Sequence, residues 1–180
     1  MKEDRLYIVG YMAAGKTTFG RALAERIGWE FIDLDDEIER DTCMAVSELM
    51  EKEGEEAFRI LESRLLKATA MKKNVVVSCG GGTPCFFDNM EFMTIHGESL
   101  WVIASPERIM ERIRIAGPTR PLLKDLDDPA LLERIKSHLR SRQPYYARAN
   151  RRISGEHLEN AGEIAAAVSN YLRSVKSNML

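Results

Sequence analysis

Hydrophobic positions along the chain fall into two alternating patterns. Short, nearly continuous apolar runs, Leu6 to Val9, Phe31-Ile32, Val75 to Val77 and Leu100 to Ile103, have the length and composition of buried strands. Between them apolar residues recur at helical spacing, as in Phe19, Leu23, Ala24 and Ile27, which predicts amphipathic helices. The expected helices cover 16–27, 47–71, 86–96, 106–114, 129–142 and 161–175, and Arg152-Ile153 reads as a short fifth strand. Strands separated by helices imply a parallel sheet covered on both faces, with ligands bound beyond the carboxyl ends of the strands.

Composition narrows the setting without naming a chemistry. A chain of 180 residues fits one domain with its own core. Lys plus Arg (26) nearly balance Asp plus Glu (28), for a net charge of -2, so nucleic-acid binding is not the default. No run approaches the roughly 20 apolar residues of a membrane span. The opening "MKEDRLYIVG" passes from charge straight into the first strand, without the apolar core of a signal peptide. The expectation is a cytoplasmic protein with no membrane partner. Cys43, Cys79 and Cys85 are odd in number and match no metal spacing, which favours reduced thiols. No apolar interface stripe stands out, and a monomer is expected.

The chemistry begins at "GYMAAGKT", Gly10 to Thr17, which fits GxxxxGK[ST] between a strand and a helix. That pattern arises by chance in on the order of one chain in a hundred at ordinary composition, and the strand-loop-helix setting makes coincidence rarer. Gly10 and Gly15 let the backbone wrap around phosphate oxygens, and the helix N-terminus supplies positive dipoles. Lys16 is expected to reach the β and γ phosphates and Thr17 to ligate Mg²⁺. Ala13, Ala14, Gly15, Lys16, Thr17 and Thr18 are therefore the expected contacts to ATP or GTP.

A nucleotide loop alone does not separate a kinase from an ATPase or a sensor. The second strand ends in "FIDLDDEIE", beside that loop. Asp33 is placed to hold Mg²⁺, directly or through water, and Asp35 to accept the proton of an attacking hydroxyl. The plainer account, that these aspartates only cap the next helix, suits one of them better than both. Asp36, Glu37 and Glu39 fit the first turns of that helix, where they complement its dipole.

Four further stretches stand out. Arg59 lies in "EGEEAFRILESRLL", where a charged helix would ordinarily leave it on the surface. "VVVSCGGGT" puts Gly80, Gly81 and Gly82 at a strand end, a run that lets the backbone approach a ligand closely. "IRIAGPTRPLLKDLDD" carries Arg112, Arg114 and Arg120 around a Gly117-Pro118 break and reads as a mobile, cationic loop able to close over phosphates. "LRSRQPYYARANRR" is rich in arginine and tyrosine; an RNA-binding patch is its weaker reading against the acidic overall balance.

"GYMAAGKTTFGRALAERIGWEFIDLDDEIE", "GEEAFRILES", "SCGGGT", "TRPLL" and "RQPYYARA" occur in an order that resembles the shikimate kinase family over about nine tenths of the chain. Ala14, Thr17 and Asn150 depart from the family's usual glycine, serine and aspartate. The resemblance implies an α/β fold of the nucleoside-monophosphate-kinase type. It has three layers around a five-stranded parallel sheet, a helical substrate lobe at about 34–62 and a lid at about 112–125. It also implies transfer of the γ-phosphoryl of ATP to the 3-hydroxyl of shikimate, with Mg²⁺ as cofactor. Carried onto this sequence, it assigns Arg59 and Arg142 to the shikimate carboxylate and Gly81 and Gly82 to the ring. Asp33 falls near the metal and Asp35 at the substrate hydroxyls. Arg120 is the lid arginine, acting on the phosphates with Lys16, while adenine falls between Arg112 and the loop near Ile153 and Ser154. A kinase for another hydroxylated acid such as gluconate, and a non-catalytic nucleotide-binding regulatory domain, are the alternatives.

Overall fold

Arg5–Val9 (β1), Glu30–Asp33 (β2), Val75–Ser78 (β3), Glu98–Ile103 (β4) and Arg151–Ser154 (β5) form one parallel sheet in the order β2-β3-β1-β4-β5. This is a computed structural model, and its described residues are 4–116 and 127–177. Seven α-helices lie among them: Lys16–Ile27 (α1), Leu34–Thr42 (α2), Val46–Ala68 (α3), Asn89–His96 (α4), Pro106–Ala116 (α5), Asp128–Tyr146 (α6) and Ala161–Ser177 (α7). The sheet begins at its middle strand. From β1 the chain builds β2 and β3 on one side and later β4 and β5 on the other, so the strand order reverses beside β1. At such a reversal the connections diverge and leave a crevice above the strand ends.

Strand side chains alternate between faces, which sorts the core into two layers. Leu6 and Ile8 of β1 join Val76, Leu100 and Val102 against Phe19 and Leu23 of α1, Ile109 of α5, Leu131 and Ile135 of α6, and Val168 and Tyr171 of α7. Tyr7 and Val9 face the other way, with Val75, Val77 and Trp101, against Ile38 of α2, Phe58 and Leu66 of α3, and Met90 and Met93 of α4. Each fully buried side chain of this size contributes roughly 2 kcal/mol through lost apolar exposure. Cys79 and Met93 sulfurs meet at 3.5 Å inside the second layer, and Cys43, Cys79 and Cys85 are free thiols. No helix among the described residues is long and apolar enough to cross a membrane.

Three departures from the sequence pattern have a clear local reason. The helix expected from 86 starts at Asn89, because Thr83–Cys85 makes a 3₁₀ turn and Phe87 takes a left-handed φ of 51°. Within α3, Gly54 adopts φ 86° and ψ 163°, and the helix breaks there. The helix expected to stop at Arg142 continues through Pro144 to Tyr146. Proline removes a helical donor, but Tyr146 is fully buried against Trp101, with ring centroids 5.9 Å apart, and this packing holds the last turn in place.

Candidate active site

Phosphate chemistry has its frame in the loop between β1 and α1. Gly15 caps α1 with a left-handed φ of 100°, a backbone shape that costs residues bearing a Cβ. The first amides of α1 have no helical partners and carry the positive end of its dipole. Lys16 is only 8% exposed, and its Nζ donates to the Tyr11 carbonyl at 2.9 Å. The ammonium is thereby laid along the loop that a phosphate would enter.

Register between β2 and β3 completes the next part of the site. Asp33 and Ser78 are partners at the two strand ends. Thr17 Oγ1 donates to Asp33 Oδ2 at 2.7 Å and lies 3.3 Å from Ser78 Oγ. Hard oxygens from three elements converge here beside the exposed Thr17, a donor set whose chemistry fits Mg²⁺. Asp33 also serves the fold: Oδ1 accepts the Asp35 backbone N–H at 3.1 Å, which makes Asp33 the N-cap of α2. The carboxylate of this candidate cation cradle and the helix cap are one residue. His157, Glu159 and Glu163 also bring possible ligand atoms within 4.8 Å of one another. His157 and Glu159 are exposed and Glu163 is half-buried, however, and Glu159 is already paired with Arg112 at 2.6 Å.

The glycine run closes the opposite wall. A Cβ built on Gly80 would lie 2.8 Å from Glu62 Oε1 and 3.0 Å from Asp35 Oδ1, so the Asp35 carboxylate rests against this backbone. A Cβ on Gly82 would lie 2.7 Å from the Arg59 Nη2. Only the absence of a side chain lets the guanidinium sit there.

Arg59 is not the surface residue that its charged helix suggests; it is 9% exposed. Its Nη1 donates to Glu62 Oε2 at 2.9 Å and its Nη2 to Glu55 Oε1 at 3.1 Å. The guanidinium lies 4.7 Å from the Phe58 ring centroid and 4.3 Å from that of Phe86. Glu62 is fully buried and also accepts from Thr83 Oγ1 at 2.6 Å. Burial pushes the Glu62 carboxyl above its ordinary range, against the opposing pull of Arg59 and the Thr83 bond. Arg59 is thereby fixed as a planar cationic fork, the group best shaped to take a carboxylate.

Arg142 reaches the site from α6, its guanidinium 5.6 Å from the centroid of the Tyr11 ring in the phosphate loop. Four residues on, Tyr146 donates to the Gly81 carbonyl. On the other flank Arg112 of α5 donates to Ala13 O at 3.1 Å and Gly155 O at 2.6 Å. Ile153 is paired with Val102 within the sheet and packs on the first core layer. The backbone that meets the phosphate loop is at Gly155, where a Cβ would lie 2.3 Å from Ala14 O. Asn150 has a separate duty, accepting from the Ser99 N–H and hydroxyl to hold β5 on β4. Arg120 and residues 117–125 of the expected lid lie outside the described residues; Arg114, at the end of α5, pairs with Asp128 at 2.8 Å.

A nucleotide loop, a cation cradle and a buried arginine fork around one crevice are what a small-acid kinase requires. Comparison with known proteins decides which kind. The family model described as shikimate kinase matches residues 12–173. The chain belongs to the shikimate kinase family. A shikimate kinase from Phocaeicola vulgatus is 42% identical over 91% of this chain and 94% of its own length. The crystal structure of shikimate kinase from Bacteroides thetaiotaomicron superposes with a TM-score of 0.92 at 39% identity, covering 96% of this chain and 98% of that one. The shikimate kinase from Acinetobacter baumannii, solved in complex with shikimate, gives 0.85 at 34% identity over 99% and 96% of the two chains.

Several residues that shape this crevice escape a reading of the sequence. Glu62 and Thr83 orient Arg59, and Phe86 backs it; only the i,i+3 spacing of Glu62 from Arg59 offers a signal. Tyr11 is hidden among the variable positions of the phosphate loop, and His138 carries no motif at all.

Proposed function

We propose that this protein transfers the γ-phosphoryl group of ATP to the 3-hydroxyl of shikimate, giving shikimate 3-phosphate and ADP. The observation that carries the reading is the buried Arg59 fork held against Gly82 within the same crevice as Asp35 and the phosphate loop. The family membership and the shikimate-bound relative support it.

In the proposed mechanism Arg59 and Arg142 take the carboxylate of the acid through charge-assisted bonds and so orient its ring. Gly81 and Gly82 allow the ring to lie close to the backbone. Asp35 accepts a hydrogen bond from the attacking hydroxyl and takes its proton as that oxygen bonds to the γ-phosphorus and the bond from phosphorus to the bridging oxygen breaks, releasing ADP. Lys16 counters charge on the phosphates, aided by the α1 dipole and by Arg120 from the lid segment. Thr17, backed by Asp33 and Ser78, would hold Mg²⁺, which when bound neutralises charge on the β and γ oxygens. Residues 34–62, bent at Gly54, act as the substrate lobe, and residues near 112–125 act as the lid that excludes water. Arg112 and the backbone after Ile153 flank the adenine.

Measured ADP release with shikimate and with gluconate as acceptors tests the reading. Turnover that requires shikimate is expected; turnover with gluconate alone, or with neither, would overturn it.

A further inference from the structure

The helix that supplies Arg142 touches the rest of the site through three residues spaced four apart, and these share one face. His138 Nδ1 and the Tyr11 hydroxyl are hydrogen-bonded at 3.0 Å, with their rings tilted at 6.2 Å. Arg142 lies over the face of that same tyrosine. Tyr146 grips Gly81 and packs on Trp101. Arg142 is thus flanked by two polar anchors, one to the phosphate loop and one to the glycine run.

The two anchors are unlike in kind. Tyr146 is fully buried and holds the end of α6 by packing as well as by its hydrogen bond. His138 is only half-buried, and the hydroxyl of the core residue Tyr11 is its hydrogen-bond partner on the phosphate loop. The Tyr11 ring needs no hydroxyl to fill its place in the first core layer, where Phe would pack equally well. The hydrogen bond therefore adds direction, not bulk: it fixes the angle at which α6 meets the Tyr11 ring. That ring, together with the Tyr146 hydroxyl to which Arg142 is also hydrogen-bonded, steadies the long, rotamer-rich Arg142 side chain.

We propose that His138, through its hydrogen bond to Tyr11, is a positioning residue for Arg142 in binding the acid substrate. Neither residue touches the reacting atoms. The pair sets where the guanidinium stands before the carboxylate arrives, so that less ordering remains to be done on binding. It rests on the reading of Arg142 as a carboxylate-binding arginine. It predicts a selective signature: loss of the hydrogen bond weakens the acid substrate and leaves nucleotide binding and the phosphoryl step alone.

Steady-state kinetics of five variants test this. Tyr11→Phe and His138→Ala should each raise the KM for shikimate about fivefold to tenfold, the worth of one lost hydrogen bond. Both should keep kcat and the KM for ATP within about twofold of the parent. The Tyr11→Phe/His138→Ala double variant should be no worse than either single one, as expected when both remove the same bond. His138→Asn, whose amide can occupy the place of Nδ1, should recover most of the loss. An unchanged shikimate KM in Tyr11→Phe, or an equal rise in the KM for ATP, would overturn the proposal; Tyr11→Phe keeps the core intact, so misfolding does not confuse the result. Arg142→Ala measured alongside separates the two readings. If it alone raises the shikimate KM, the arginine assignment stands and the positioning role of His138 falls. If it too leaves that KM unchanged, both fall.

Discussion

Thr17 and Asp33 are joined by a 2.7 Å hydrogen bond between the second residue of α1 and the N-cap of α2. Through it the phosphate loop, the end of β2 and the first helix of the proposed substrate lobe meet at one carboxylate. The two oxygens of Asp33 divide the work, Oδ2 toward Thr17 and Oδ1 toward the amide of Asp35.

That division makes the proposed metal role separable from the structural one. Asparagine caps helices about as well as aspartate, so Asp33→Asn should keep its melting temperature while losing the charge that serves the cation. The Mg²⁺ concentration for half-maximal ADP release should rise about tenfold or more, as for other residues that support a metal ligand. A titration of activity against Mg²⁺ checks this, and an unaltered midpoint would remove Asp33 from the metal site.

Asp35→Asn should bind ATP almost as the parent does while turnover falls by about 10² to 10⁴, the range associated with loss of a general base. Isothermal calorimetry with ATP, paired with kcat, separates the outcomes. Lost ATP affinity would assign Asp35 to the nucleotide instead.

Gly82→Ala tests the contact between backbone and guanidinium. Gly82 has φ -95°, so alanine meets no backbone strain; the added Cβ meets only the end of the Arg59 side chain at 2.7 Å. Arg59 is caged by Phe58 and Phe86 and paired with the buried Glu62, so displacing it also disturbs that pair and the melting temperature should fall by a few degrees. The KM for shikimate should rise about tenfold or more, because the fork has left its place. An unchanged KM for shikimate would show that the contact with Gly82 does not place Arg59 for the substrate.

Glu62 carries a pH signature. Burial holds its folded pKa above the ordinary 4.5, so the folded chain keeps this proton to higher pH than the unfolded chain. The resulting stabilisation is fully present below the unfolded pKa and is lost as pH rises through the folded value. Glu62→Gln cannot titrate. The melting temperature of the parent relative to Glu62→Gln should therefore fall as pH is raised from about 4 to about 7. Thermal melts of both proteins across that range measure it, and a difference that grows with pH would contradict the assigned direction.

Much of the frame was legible from residues in a row. The phosphate loop, the five strands and the acidic strand end follow from short-range patterns, because strand alternation and loop chemistry are written in neighbouring positions. The reading was weaker where burial decides the outcome. Arg59 looks solvent-facing because its helix is charged, yet Phe58, Phe86 and Glu62 enclose it from three directions. Pro144 looks like a helix end, yet Tyr146 docks on Trp101 and Gly81 and the helix runs on.

By itself the sequence determined the class of fold, the nucleotide loop and the residue types available to the site. All of these depend on periodicity and on motifs a few residues long. Only the tertiary structure decided that Asp33 caps a helix while facing Thr17, that Gly82 yields its space to Arg59, and that α6 brings His138, Arg142 and Tyr146 against the phosphate loop and the glycine run. Apart from the cap itself, those pairings join residues from 16 positions apart, Thr17 and Asp33, to 131 apart, Tyr11 and Arg142. Such distances are closed by packing on the two faces of the sheet, and no local pattern encodes which partner will be met there.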